Sequence, residues 1–241
     1  MIQFSNSPLV AHTRLSPHRN APRNQPIRKI TIHMVAGVTS IESLGTLFSG
    51  TRQVSSNYGV GSDGRIGMYV EERNRAWTSS SAANDHQAIT IEVSNSALGG
   101  NWPVSDHVLE ATINLCVDIC RRNNIPRLVY DGTPNGSLTR HNMFAATSCP
   151  GLFLQSKFPY IAQEVTRRLS PQTAAQQPEN RAPSLRQHTV VARDTLWALA
   201  QRYLGNGNRW REIQRLNGGI NALRLPIGMR LNIPDRGTTN E

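Results

Sequence analysis

The stretch RKITIHMVAG, residues 28–37, alternates β-branched and polar positions and closes on a glycine, a pattern that predicts a short strand. The next segment, SIESLGTLFSG at 40–50, predicts a helix capped by Ser40 and stopped by Gly50. A hairpin is expected where SNYGVGS (56–62) turns through Asp63–Gly64 into RIGMYVE (65–71). AITIEVSN at 88–95 reads as another strand, and VLEATINLCVDICRRNN at 108–124 has helical apolar spacing, predicting a helix over 105–123. After Pro126 the run RLVYD (127–131) predicts a further short strand. A last helix over 153–169 carries Arg167 and Arg168 near its C-terminal end. Strands and helices mixed in this way predict an α/β fold with a central mixed sheet flanked by helices.

The pattern lapses at SPQTAAQQPENRAPSLR, residues 170–186, which is rich in Pro, Gln, Ala and Ser. That composition predicts a flexible linker. The expected organisation is a first domain over 1–170, a linker over 171–187, a second domain over 188–235 and a tail over 236–241. The second domain reads as β-α-α-β: HTVV, then a helix over 195–205 with Asp194 as N-cap and Gly205 as C-cap, a helix over 208–218, and a strand over 229–234.

Composition narrows the class. The chain has 241 residues, 38% hydrophobic and 17% charged, as expected of a folded protein. No apolar run approaches the roughly 18–20 residues of a membrane span. The N-terminal segment lacks a charged region followed by an apolar one, so the expectation is synthesis in the cytoplasm without a signal peptide, with any outside target reached by another route. A net charge of +10, denser in the C-terminal part, implies attraction to polyanions. Nucleic acid is the poorer match, since aromatics are not interleaved with the basic residues and no helix-turn-helix with a basic face stands out. A monomer is expected.

Three cysteines are too few and odd in number for a disulfide framework. Cys116 and Cys120 are four apart on the long helix and read as small core residues. Cys149 lies in a loop, TRHNMFAATSCPG, eight residues after His141, and His33 ends the first strand. Zinc accepts imidazole and thiolate, and a catalytic zinc needs three protein ligands with a fourth position open. Two ligands in one loop and one on a distant strand meet that need, although this spacing by itself does not single out a metal.

The ordered segments IRKITIHMVAG, SSNYGVGSDGRIGMYVEE, SAANDHQAITIEVSN and TRHNMFAATSCPG resemble the zinc-dependent N-acetylmuramoyl-L-alanine amidases of the type 2 family, over roughly residues 8–170. The resemblance implies that His33, His141 and Cys149 ligate Zn2+ and that Glu92 activates water. The zinc chemistry agrees with the carry-over, and alternation along its strand aims Glu92 to one face with Ile91 and Val93 on the other. Relatives often carry a lysine two residues before the third ligand; here Thr147 stands there, able to donate one hydrogen bond to an oxyanion but bringing no charge. A tyrosine found in some relatives aligns with Ser56, with Tyr58 on the same strand face, and Thr78 replaces a histidine. Asn57, Tyr58 and Trp77 are candidate substrate contacts. His86 reads as a surface-loop residue.

The segment 188–234, with HTV, DTLW, RLN and a closing IP, resembles a LysM domain, which implies binding to the N-acetylglucosamine-containing glycan of peptidoglycan or chitin. By analogy the contacts are Arg193, Asp194 and Thr195 before the first helix, and Asn217, Gly218, Gly219 and Ile220 after the second. The expected function is therefore a peptidoglycan hydrolase, endolysin or autolysin, that cuts between N-acetylmuramic acid and L-alanine. Its expected partners are the glycan strand, the stem peptide and anionic cell-wall polymers, with no nucleic acid. The alternative is a peptidoglycan-binding protein without catalysis.

Overall fold

A computed structural model describes residues 4–170, 186–192, 194–218, 220, 222 and 225–234. The chain divides into two compact units, Met1–Pro171 and Gln172–Glu241. The expected linker, apart from Arg186 and Gln187, and the expected tail lie outside the described residues, as do Arg193 and Gly219.

The first unit contains, in order, β1 (Val10–Thr13), β2 (Arg19–Asn20), β3 (Lys29–Met34), α1 (Ile41–Ser49), β4 (Tyr58–Val60), β5 (Ile66–Met68), β6 (Arg75–Ala76), α2 (Ala82–Gln87), β7 (Ala88–Val93), α3 (Asp106–Arg122), β8 (Leu138–Arg140) and α4 (Leu152–Leu169). Six strands form one sheet in the order β1-β5-β4-β7-β3-β8. Only the β4–β5 hairpin is antiparallel; the other pairs run parallel, so the sheet is mixed as expected. Strands β2 and β6 pair separately.

The apolar side chains explain this arrangement. Ile30, Ile32, Ile89, Ile91 and Leu138 are fully buried and share one cluster with Ile113, Cys116 and Ile119 of α3 and with Phe158 and Ile161 of α4. Fully burying one such side chain contributes roughly 1.5–3 kcal/mol, so this layer holds the sheet against the two long helices. Cys116 and Cys120 are free thiols inside it, which matches the core reading. On α1, Ser40 accepts a hydrogen bond from the Ser43 backbone as the expected N-cap, while Leu44, Phe48 and Tyr69 make a smaller cluster.

One expected strand is displaced. Residues 127–131 form no strand; Val129 instead donates its N–H to Ser137 Oγ and accepts from the Leu138 N–H, so this stretch is an irregular wall beside β8. The strand that extends the sheet is β8, whose three residues are too few to show an alternation in sequence.

The second unit has β9 (Arg186–Thr189), α5 (Leu196–Leu204), α6 (Trp210–Leu216) and β10 (Arg230–Ile233), with β9 and β10 antiparallel. Leu196, Leu199, Ala200, Ile213, Leu231 and Ile233 form its core. Gly205 ends α5 in the left-handed conformation at φ 76°, as the sequence predicts. The N-cap differs from expectation: Thr195 accepts from the Ala198 N–H, while Asp194 binds His188 Nε2 at 2.7 Å and the Val191 N–H at 2.8 Å. Asp194 thus ties the loop to β9 and does not cap the helix.

Candidate metal centre and its cleft

Strands β3 and β7 are in register with His33 opposite Glu92, and β3 and β8 with Thr31 opposite Thr139. Because strand side chains alternate, the face opposite the isoleucines carries Thr31, His33, Thr90, Glu92 and Thr139. Its deeper residues are hydrogen-bonded. Thr31 Oγ1 lies 2.9 Å from Thr139 Oγ1 and accepts from Asn84 Nδ2 of α2 at 2.9 Å. Thr90 Oγ1 accepts from the Asn57 N–H at 3.1 Å and from Thr78 Oγ1 at 2.9 Å. This polar floor fixes the strands two residues before each chemically interesting side chain.

At the C-terminal ends of these strands the satisfaction stops. After β8 the chain makes a 3-10 turn at His141–Met143 and returns through Cys149. Cys149 Sγ accepts from the Met34 N–H at 3.3 Å, and its carbonyl from the Asn142 N–H at 3.2 Å, which brings the loop back onto β3. Gly151 then needs its missing side chain: φ is 82°, and a Cβ there would stand 2.8 Å from Met34 sulfur and 2.9 Å from Trp102 Cβ. Buried Asn95 joins the neighbouring loops, accepting from the Gly37 N–H at 3.2 Å and donating to Trp102 O at 3.1 Å.

As a result one potential ligand atom each from His33, His141 and Cys149 lies within 4.8 Å of the others, and the two imidazole centroids are 4.6 Å apart. His33 Nε2, His141 Nε2 and Glu92 Oε2 are all out of solvent with no hydrogen-bond partner among the described residues. Burial without a partner costs roughly 1–3 kcal/mol per polar group, so three such atoms together need a common explanation. Burial, with the neighbouring His141, holds the His33 pKa well below the usual imidazole value, and burial lowers that of His141 against the raising effect of Asp85. Both rings are therefore neutral near pH 7, with a lone pair to give. Burial pushes the Glu92 carboxyl up to about 8. Burial also raises the Cys149 thiol well above its ordinary value, with the Glu92 charge adding to the effect. Uncompensated groups of this kind fit a divalent cation, whose charge favours both the thiolate and the carboxylate. The donor set, two neutral imidazoles and one thiol, suits zinc.

Glu92 and His141 open onto a cleft of about 180 Å³ walled by Leu44 and Phe48 of α1, by Arg52 and by Trp77. Trp77 fixes its indole by donating from Nε1 to Asn20 Oδ1 at 2.7 Å, leaving its ring along the cleft. Thr147 uses its hydroxyl oxygen to accept from the Cys149 N–H at 3.2 Å, which braces the loop.

Two expected contacts are not available to a ligand. Asn57 is fully buried, donating to Val70 O and accepting from the Thr90 N–H, and Tyr58 is fully buried with its hydroxyl on Glu72 Oε1 at 2.7 Å. The strand turns Tyr58 into the α3 layer, so substrate contact is withdrawn for both. In the second unit Asn217 spends its amide on Ile213 O, Asn232 O and the Asn232 N–H, and half-buried Ile220 packs on the core; both hold α6 to the strand pair. His86 belongs to α2 and accepts from the Asn24 N–H, outside the centre. The threonine floor was missed in the sequence, although each member sits two positions before His33, Glu92 or His141.

The family model described as N-acetylmuramoyl-L-alanine amidase matches residues 23–152, more than half of the chain. The chain belongs to the N-acetylmuramoyl-L-alanine amidase family. A LysM domain model matches residues 188–234. Family membership makes this chain a hydrolase of the amidase class that acts on peptidoglycan. Among solved structures, PlyL is similar at 14% identity over 65% of this chain and 96% of that one, with a TM-score of 0.51. The PlyG catalytic domain is similar at 16% identity over 68% and 97%, with a TM-score of 0.51. A mutant endolysin from Bacillus subtilis is similar at 12% identity over 65% and 99%, with a TM-score of 0.50. At such identities the likeness to these amidase and endolysin structures is one of fold. A search of curated proteins finds no match.

Proposed function

We propose that this amidase is a zinc hydrolase that cleaves the bond between N-acetylmuramic acid and the L-alanine of the stem peptide, with His33, His141 and Cys149 as metal ligands and Glu92 as general base. The observation that carries the reading is the trio of buried, unpartnered atoms, His33 Nε2, His141 Nε2 and Glu92 Oε2, beside the Cys149 thiol. Zinc bound there supplies Lewis acidity, polarising the scissile carbonyl and acidifying water to a pKa near 7. Glu92 takes the proton from the attacking water and delivers it to the departing alanine nitrogen, a two-way role suited to a carboxyl whose affinity for protons burial has raised. Thr147 offers a neutral hydroxyl donor to the developing oxyanion. The Trp77 ring lies along the cleft and gives the substrate an apolar wall.

The LysM domain holds the enzyme on the glycan through the loop around Asp194 and Thr195 and the turn at Gly218, and so raises the local substrate concentration on an insoluble polymer. The net charge of +10 adds attraction to anionic wall polymers. The biological setting we infer is that of an endolysin or autolysin reaching the wall after release.

The test is metal analysis of the wild type beside Cys149→Ser, together with the appearance of alanine amino termini from purified walls. About one zinc per chain, mostly lost in the variant along with alanine release, is expected. A lytic, metal-free wild type would refute the mechanism.

A further inference from the structure

A second hollow of about 330 Å³ adjoins the cleft, sharing Val54, Trp77 and Thr78 with it, and is lined by Arg75 of β6. Most arginines with a buried or half-buried side chain in the first unit are committed: Arg23 to backbone carbonyls, Arg122 to Glu72 and Asp118, Arg140 to Tyr130, and Arg168 to Glu110 and Glu164. Arg75 is different. Its Nε is out of solvent with no acceptor, and the side chain makes no hydrogen bond or ion pair among the described residues. Arg52, which lines the first hollow, is likewise without a side-chain partner among them. A buried Nε–H with no acceptor is costly, and the planar fork of a guanidinium suits a carboxylate.

The other polar groups of the second hollow do not serve Arg75. Asp85 lines it, but the Asp85 carboxylate accepts from the Thr78 and Ser79 N–H groups and from Ser79 Oγ. Ser81 Oγ caps α2. Arg75 therefore lines the hollow with no acceptor on its guanidinium among the described residues, beside an indole wall and in the same lining as an Asp85 carboxylate already engaged by its own donors.

Resting on the amidase reading, we propose that this second hollow is a subsite for a carboxylate on the peptide side of the scissile bond, with Arg75 as its counter-ion and Arg52 as a weaker, more exposed one. It would make the enzyme selective for stem peptides whose acidic groups are free over those in which they are amidated, because a carboxamide cannot accept a charged fork in the same way.

The experiment uses two matched muramoyl-L-alanyl peptides, one with a free carboxylate on the residue after alanine and one with a carboxamide there. Equilibrium binding of both is measured to the full chain carrying Glu92→Gln, and cleavage of both by the wild type. About tenfold tighter binding of the free acid is expected, as for one charge-assisted hydrogen bond. Adding Arg75→Gln should bring the two affinities together, whereas Arg75→Lys retains part of the difference. Equal binding of the two peptides, or a preference that survives Arg75→Gln, overturns the subsite even if both peptides are cleaved. Selective binding with no cleavage of either keeps the subsite and removes the amidase reading. Unchanged thermal unfolding of the Arg75 variants excludes a collapse of β6 as the cause.

Discussion

The two faces of β3, β7 and β8 share the same backbone and have opposite fates. One face, Ile30, Ile32, Ile89, Ile91 and Leu138, is buried completely against α3 and α4 and has nothing left to bind. The other begins with threonines hydrogen-bonded to each other and to neighbouring residues and ends with His33 and Glu92, whose buried atoms have no partner among the described residues. The first face stabilises the fold and the second draws on that stability. A rigid apolar layer allows unsatisfied groups to be held in one geometry, since the cost of leaving them unpaired is offset elsewhere in the same strands.

The contrast can be broken from either side. The largest effect is expected from Glu92→Gln, which should lower alanine release by about 10²–10⁴-fold with bound zinc retained, measured as turnover and metal content on one preparation. Ile91→Ala, one residue away on the opposite face, should cost about 2–5 kcal/mol in denaturant unfolding, while the folded fraction keeps its zinc. If Ile91→Ala removed the metal without destabilising the chain, the division of labour between faces would be wrong. A metal titration across pH should show affinity rising from pH 6 to 8, because burial raises the Cys149 thiol and its proton must leave before the sulfur binds. A flat profile would argue against a thiolate ligand. The smallest change is Thr139→Val, which removes the hydroxyl bonded to Thr31 but leaves Asn84 on Thr31; about 1 kcal/mol of stability and a modest loss of zinc affinity are expected from melts and competition with a chelator.

The three cysteines show how far such contrasts can be read without coordinates. All three are free and buried. Cys116 and Cys120 sit in a periodic apolar run, and that periodicity made their core role legible. Cys149 sits among Thr, Ser, Pro and Gly, and only the fold explains how a loop residue becomes buried: the Met34 N–H on its sulfur and the tight passage of Gly151 past Trp102 draw the loop onto β3. Tyr58 and Asn57 failed as substrate contacts for a related reason. Alternation says which residues share a face, but a face can look into a cleft or into a helix layer, and that depends on what packs above it. Asp194 and Asn217 are polar loop residues of the kind expected to bind sugar, yet hydrogen bonds with His188 and with the Asn232 backbone engage them in holding the small unit together.

By itself, the order of residues determined the α/β class, the place of the main strands and helices, the change of composition near residue 170, and a set of motifs specific enough to mark family and candidate ligands. These are local properties, set by side-chain periodicity and turn chemistry within a few positions. Only the tertiary structure decided that β8 rather than 127–131 joins the sheet, that His33, His141 and Cys149 converge within 4.8 Å, and that the Arg75 side chain stands beside the cleft with no partner among the described residues. Those outcomes depend on strand register and on which polar atoms find partners far away in sequence, and such long-range pairing is settled only when the whole core closes.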